Sequence, residues 1–394
     1  MKRALQLTAY TLTSALGQGL QAQMEALYSG RSGLRPCDLE DVDLSTWIGR
    51  VPEVEEVSLP EALQEYHCRN HQLAWLGLNQ DDFPVAVAEA AEKYGAHRVG
   101  VFMGTSTSGV QQMERAYEES VDGQHLANFN YRTTQNIFSL GDFVSRSLGL
   151  NGPVQVISTA CSSSAKVFAA AYRHMQAGFC DCAVVGGVDS LCKMTLYGFN
   201  ALQLVSSQPC RPADAERDGL SIGEAAGFAL LEWQKPQHRG VSLIGYGESA
   251  DAYHMSSPHP DGLGAAMSMG QALASAGLKK SDIHYVNLHG TATPANDLSE
   301  DKAMMRLFGD ELPCSSTKGF TGHTLGAAGI VEALFSAQVL QHQYLPPSAQ
   351  TRSVDPRINS NILLDGRERQ VRRVMSNSFG FGGSNISLVF GSGQ

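Results

Sequence analysis

At 394 residues, 43% hydrophobic and 17% charged, the chain has the composition of a folded globular protein, with room for two domains or for one domain of two similar halves. A formal charge of −10, a pI near 5.6 and the lack of a Lys/Arg cluster exclude broad nucleic-acid binding, which needs a basic face for phosphate. No run of about 18 apolar residues is present to span a bilayer.

The opening stretch, MKRALQLTAYTLTSALGQGL, is basic and then partly apolar. Gln6, Thr8, Thr11, Thr13 and Ser14 interrupt its apolar run, so it reads as a first core strand rather than a signal peptide. Short β-branched runs follow at 98–104, 153–160, 182–187 and 227–233, and a second series at 241–247, 283–290, 361–366 and near the C-terminus. Strands apolar throughout are covered on both faces, which points to a layered α/β fold. Between them, 165–178 and 264–277 carry small and apolar residues at helical spacing and end in glycines suited to left-handed caps. The polar stretch 235–240, within QKPQHRG, is the best linker signal, and the similar order of elements on either side suggests an internal duplication with halves 1–240 and 241–394.

Eight cysteines are scattered without a disulfide framework, so a reduced, cytoplasmic chain is expected. Cys180 and Cys182 form a C-x-C pair with no second ligand pair for zinc, and alternation at the start of a strand explains them more cheaply. Cys161 differs, because PVQVISTACSSS places it where a strand turns into a helix; there the helix dipole and free N–H groups favour thiolate. Burial as a small hydrophobe is the competing reading.

His289 closes IHYVNLHG before a polar loop, where layered α/β proteins assemble their sites, and is an acid/base candidate or a structural residue. In SSTKGFTGHTLGAAGIVEAL, Lys318 is expected to end a short strand. His323 precedes a helix of small residues that carries Glu332 and can also serve close packing. A Schiff-base role for Lys318 with pyridoxal phosphate lacks a matching phosphate loop. His67, His71, His254 and His259 have no comparable loop context.

Taken in order, TACSSS at 159–164, RDGLSIGEAAG at 217–227, HGTATPAND at 289–297, STKGFTGHTLGAAG at 316–329 and NSFGFGGSN at 377–385 closely resemble the elongating β-ketoacyl-acyl-carrier-protein synthases, over essentially the whole chain. The resemblance implies a thiolase-like fold of five layers, αβαβα, with internal duplication, usually dimeric. It implies decarboxylative Claisen condensation at a Cys161–His289–His323 centre, supported by Lys318, Glu332 and Glu300. Phe381 and Phe379 fall in the gate segment, with the Phe381 and Cys161 N–H groups forming an oxyanion hole. Thr107 falls in the loop near the acyl pocket. The implied partners are an acyl carrier protein, whose phosphopantetheine bears the substrates, and a second copy or a related chain-length-factor subunit. No metal and no other cofactor is expected. Since carriers are acidic, a basic docking patch is expected, with Arg69 and Arg211 as candidates.

Ala213 stands where a bulky aromatic is usual in the fatty-acid members, and LTAYTLTSALG replaces their glycine-rich opening. These departures make a polyketide or aryl-polyene synthase a rival to a fatty-acid enzyme. A coenzyme A-dependent thiolase would carry a second cysteine near the C-terminus, whereas the last here is Cys314. A silent chain-length factor would lack the active cysteine. A cysteine hydrolase would not require the second histidine and the Lys318 loop.

Overall fold

The computed structural model describes residues 1, 3–120 and 129–393. Five strands form the first half of the central sheet: β1 (Leu5–Ser14), β2 (Val99–Gly104), β3 (Val154–Ile157), β4 (Cys182–Asp189) and β5 (Ala225–Trp233). Five more form the second: β6 (Val241–Ala250), β7 (Tyr285–Asn287), β8 (Pro313–Ser315), β9 (Arg373–Gly380) and β10 (Ser384–Ser392). The spatial order is β3-β2-β4-β5-β1 in one half and β8-β7-β9-β10-β6 in the other. Each half pairs its first three spatial neighbours in parallel and the remaining two junctions antiparallel. Identical order and polarity in both halves is the signature of a duplicated unit. Leu5 and Gln6 of β1 pair with Leu243 and Ser242 of β6, joining the two copies at their centre. A two-residue strand, Asn361–Ile362, extends the far edge beyond β8.

The layers follow from side-chain alternation along the strands. In β5, Ala225, Ala229 and Leu231 face the middle of the molecule, whereas Ala226, Phe228 and Leu230 face an outer layer. That outer layer holds α1 (Arg69–Leu78), α2 (Phe83–Tyr94) and α3 (Ser139–Ser147). The middle layer holds α4 (Ser163–Gln176) and α7 (Ala328–His342). The other outer layer holds α5 (Leu263–Ala276) and α6 (Pro294–Leu307), packed on Val286, Met375 and Val389. Five layers result, as the resemblance implies.

A helix between the two halves of the sheet has no solvent face, and α7 is buried from Ala328 to Leu340. The two middle helices touch backbone to backbone: a Cβ on Gly329 would lie 2.4 Å from the Ala165 nitrogen. The helices expected at 165–178 and 264–277 run Ser163–Gln176 and Leu263–Ala276, with Gly178 and Gly277 left-handed after them at φ 79° and 67°. The segment 283–290 is a strand only over Tyr285–Asn287, because the chain leaves the ladder to place His289. Only Asn361 and Ile362 of 361–366 pair. No helix among the described residues is long and apolar enough to cross a membrane.

Candidate active site

Cys161 lies between β3 and α4, buried at 5% exposure. The turn is sharp: Ala160 takes φ 51°, and Gly380 comes so near that a Cβ there would sit 2.7 Å from the Thr159 carbonyl oxygen. The serines after the cysteine stitch the turn. Ser163 Oγ accepts from the Thr159 N–H at 2.8 Å, and Ser164 Oγ accepts from the Ile330 N–H of α7 at 2.9 Å. The thiolate expected from the helix start is not the resting form. Burial pushes the thiol up to about 11, and the nearby Lys318 ammonium and the N–H groups of Phe381 and Cys161 offset only part of that.

The two imidazoles come from the second half and reach the same point. The His323 backbone is clamped by the segment before β5, its N–H donating to the Ser221 carbonyl at 2.7 Å and its carbonyl accepting from the Gly223 N–H at 2.9 Å. Its Nε2 lies 3.1 Å from Cys161 Sγ. His289 is held by Glu300 on α6, whose carboxylate accepts from the N–H groups of His289 and Gly290 at 2.9 and 2.8 Å and from the Asn377 amide at 3.1 Å. The rings of His289 and His323 meet edge to face, centroids 5.4 Å apart. The sulfur and the facing nitrogens all lie within 4.8 Å of one another.

Each Nδ1 faces a donor: Lys318 Nζ at 3.4 Å for His289 and the Leu325 N–H at 3.2 Å for His323. Burial lowers both imidazoles well below their usual range, and the Lys318 charge lowers them further, so both are neutral. A neutral imidazole with Nδ1 accepting carries its proton on Nε2. The site therefore presents two Nε2–H donors.

Lys318 does not end a strand but opens a one-turn helix, Lys318–Thr321, three residues beyond β8. Its ammonium donates to the Glu332 carboxylate and to the His289 carbonyl oxygen, tying α7 to the histidine loop. Burial pushes Glu332 up to about 7 in spite of the ammonium, and Glu300 likewise to about 7 in spite of its N–H donors.

A cavity opens onto Cys161, His289 and His323 and is walled by Phe199, Phe379 and Phe381. Phe379 packs against His289 and Phe381 against Phe199, at centroid distances of 5.8 and 5.5 Å. Gly382 and Gly383, at φ 79° and 74°, turn the chain back after Phe381.

Two expectations are corrected, for Thr107 and Arg69. Thr107 does not line this cavity: its hydroxyl donates to Asp189 at 2.9 Å and its side chain is buried. Arg69 offers no charge to a carrier. It is 4% exposed and bonded to Glu224 and Glu55, because a buried guanidinium requires counter-charge. Arg211 is partly exposed and pairs with the exposed Glu216, at 3.3 Å to the carboxylate and 2.8 Å to the carbonyl, a surface ion pair that leaves the docking expectation standing.

Among the described residues, the His, Cys, Asp and Glu donors that converge closely enough for a metal are this same trio; Cys180 and Cys182 take no part. Two of the buried carboxylates that escaped sequence reasoning lie close to the site, Asp189 at the end of β4 and Glu224 beside the His323 clamp. Neither has a periodicity or motif signal of its own; Glu224 lies inside the quoted RDGLSIGEAAG segment.

Comparison with known proteins agrees with this geometry. Residues 3–236 match the family model for the β-ketoacyl synthase N-terminal domain and 241–352 that for the C-terminal domain. The 3-oxoacyl-[acyl-carrier-protein] synthase 2 of Staphylococcus aureus is 35% identical over 312 residues, 75% of this chain and 77% of that protein. The mitochondrial 3-oxoacyl-[acyl-carrier-protein] synthase of Arabidopsis thaliana is 30% identical across 99% of this chain and 93% of its own. A chain from the solved complex of the ketosynthase ApeO with its chain length factor ApeC, from Xenorhabdus doucetiae, superposes with a TM-score of 0.90 at 36% identity, over 100% of this chain and 98% of that one. Matches of that length on both halves establish the kinship: the chain belongs to the β-ketoacyl synthase family, with its thiolase-like fold and its 3-oxoacyl-acyl-carrier-protein synthase chemistry.

Proposed function

We propose that this synthase elongates a polyketide or aryl-polyene chain in the cytoplasm, taking its substrates from an acyl carrier protein and working in a dimer with a related chain-length-factor-type subunit. The observation that carries the pathway reading is the 36% identity, end to end, with a chain from the ApeO–ApeC complex. Cys161, His289 and His323 are all in place, which favours the catalytic over the silent member of such a pair.

In this reading Cys161 Sγ attacks the acyl thioester carbonyl, the thiol proton passes to the departing phosphopantetheine sulfur, and an acyl-cysteine forms. The Cys161 and Phe381 N–H groups hold the tetrahedral oxyanion. A malonyl thioester then enters and loses carbon dioxide, and the electron pair of the broken C–C bond becomes an enolate. The Nε2–H groups of His289 and His323 donate to its oxygen. The enolate carbon attacks the acyl-cysteine, and collapse of that adduct expels the Cys161 thiolate. The expelled thiolate takes up one proton from solvent to return to the resting thiol, and the balance calls on no metal or redox cofactor.

The test is incubation with malonyl-carrier and a panel of saturated, polyunsaturated and aryl acyl-carriers, alone and with a candidate partner subunit, followed by mass spectrometry. The reading expects Cys161 acylation and extension of the polyunsaturated or aryl chains, both absent in Cys161→Ala. Extension confined to saturated chains would overturn the pathway assignment.

A further inference from the structure

Asp189 closes β4 with its carboxylate fully buried and, among the described residues, no cation paired to it. Hydrogen-bond donors hold it instead, and they come from two places. From the loop after β2 it accepts the Thr105 hydroxyl at 2.6 Å, the Ser106 and Thr107 N–H groups at 2.8 and 2.9 Å, the Thr107 hydroxyl at 2.9 Å and the Ser106 hydroxyl. From the turn after His323 it accepts the Gly326 N–H at 2.5 Å, a group that Ser106 Oγ also meets at 3.1 Å.

The second attachment bears on the chemistry. Leu325, a bulky residue, is held at φ 53°, a left-handed conformation that its side chain disfavours. The Leu325 N–H belongs to the peptide before that torsion and points at His323 Nδ1, 3.2 Å away, so the φ of Leu325 fixes the angle between this peptide and the next. The peptide that follows is the one Asp189 grips. The fit leaves no slack, since a Cβ on Gly326 would lie 2.7 Å from both the Asp189 carboxylate and the Ser106 nitrogen.

Resting on the reading of His323 as an Nε2–H donor, the structure assigns Asp189 as a positioning residue: by fixing the Leu325–Gly326 turn it sets the tautomer of His323. Without its grip the turn relaxes toward an ordinary conformation, the Leu325 N–H swings off Nδ1, and the ring is free to carry its proton there. The Nε2–H then disappears from the cavity for part of the time. The same carboxylate anchors Thr105–Thr107, so the loop after β2 and the His323 turn are fastened to a single group.

The test compares wild type, Asp189→Asn, Ser106→Ala and His323→Ala for carbon dioxide release from malonyl-carrier. Nitrogen-15 NMR of histidine-labelled protein reads the tautomer, with the His323 signal assigned by its loss in His323→Ala. For Asp189→Asn the expectation is a fall in kcat of about 100-fold, the scale of a misplaced catalytic group, with KM little changed and Nδ1–H signal appearing for His323. Ser106→Ala keeps the carboxylate and removes the two bonds of that hydroxyl, to Asp189 and from the Gly326 N–H; it shows the same two changes in smaller degree, and it carries the test if Asp189→Asn does not fold. A pure Nε2–H signal and wild-type release in the folded variants would overturn the assignment. Undiminished release in His323→Ala would instead overturn the role given to His323 itself.

Discussion

At the level of single residues, the thiol at position 161 rests protonated because the sulfur is buried, not because it lacks neighbours. The thiolate fraction, and with it alkylation by iodoacetamide, should rise about tenfold per pH unit from pH 7 up to the vicinity of its raised value. Lys318 lowers that value and Glu332 raises it. Lys318→Met should therefore slow carbamidomethylation of Cys161 at pH 8 and Glu332→Gln should speed it, as followed by peptide mass spectrometry. Equal rates in all three proteins would mean that access, not ionisation, controls the thiol. The trio was legible in the sequence because each member sits in a strongly patterned segment. Arg69 was misread because a lone arginine looks the same in a sequence whether it meets water or the buried Glu224. Asp189 went unseen because its partners lie about 80 and 137 positions away.

Elements explain why the site holds its shape. The middle helices α4 and α7 carry the turns of Cys161 and His323 at their starts, and their contact at Gly329 and Ala165 sets the spacing between those starts. Gly329→Val should push the helices apart, costing about 1–3 kcal/mol as overpacking does, and should slow Cys161 acylation at temperatures where the protein remains folded. Denaturant midpoints and acylation rates measure the two effects separately. Strand and helix positions were readable from apolar runs and glycine caps; where β7 ends was not. Its last paired residue is set by Glu300 drawing the His289 and Gly290 N–H groups out of the ladder, a tertiary contact with no local signal.

For the whole molecule, β3 lies at the outer edge of the sheet, half-buried, with β2 its sole strand neighbour among the described residues. The Pro153 and Ile157 carbonyls accept from the Val101 and Thr105 N–H groups, so alternation turns the Val154 and Val156 N–H groups away from β2. Such an edge is a template for another chain, and the proposed partner subunit has a place to pair. On that proposal Val156→Pro, which removes an outward N–H, should convert the dimer to monomer in light scattering while leaving the fold by circular dichroism; a dimer that persists would place the interface elsewhere.

The repeated strand order divides the catalytic set between the two halves. The nucleophile belongs to one repeat and both imidazole donors to the other, so neither copy as it now stands holds a working set. A substitution that rotates one repeat against the other by a fraction of an ångström would show first in turnover, and only later in melting.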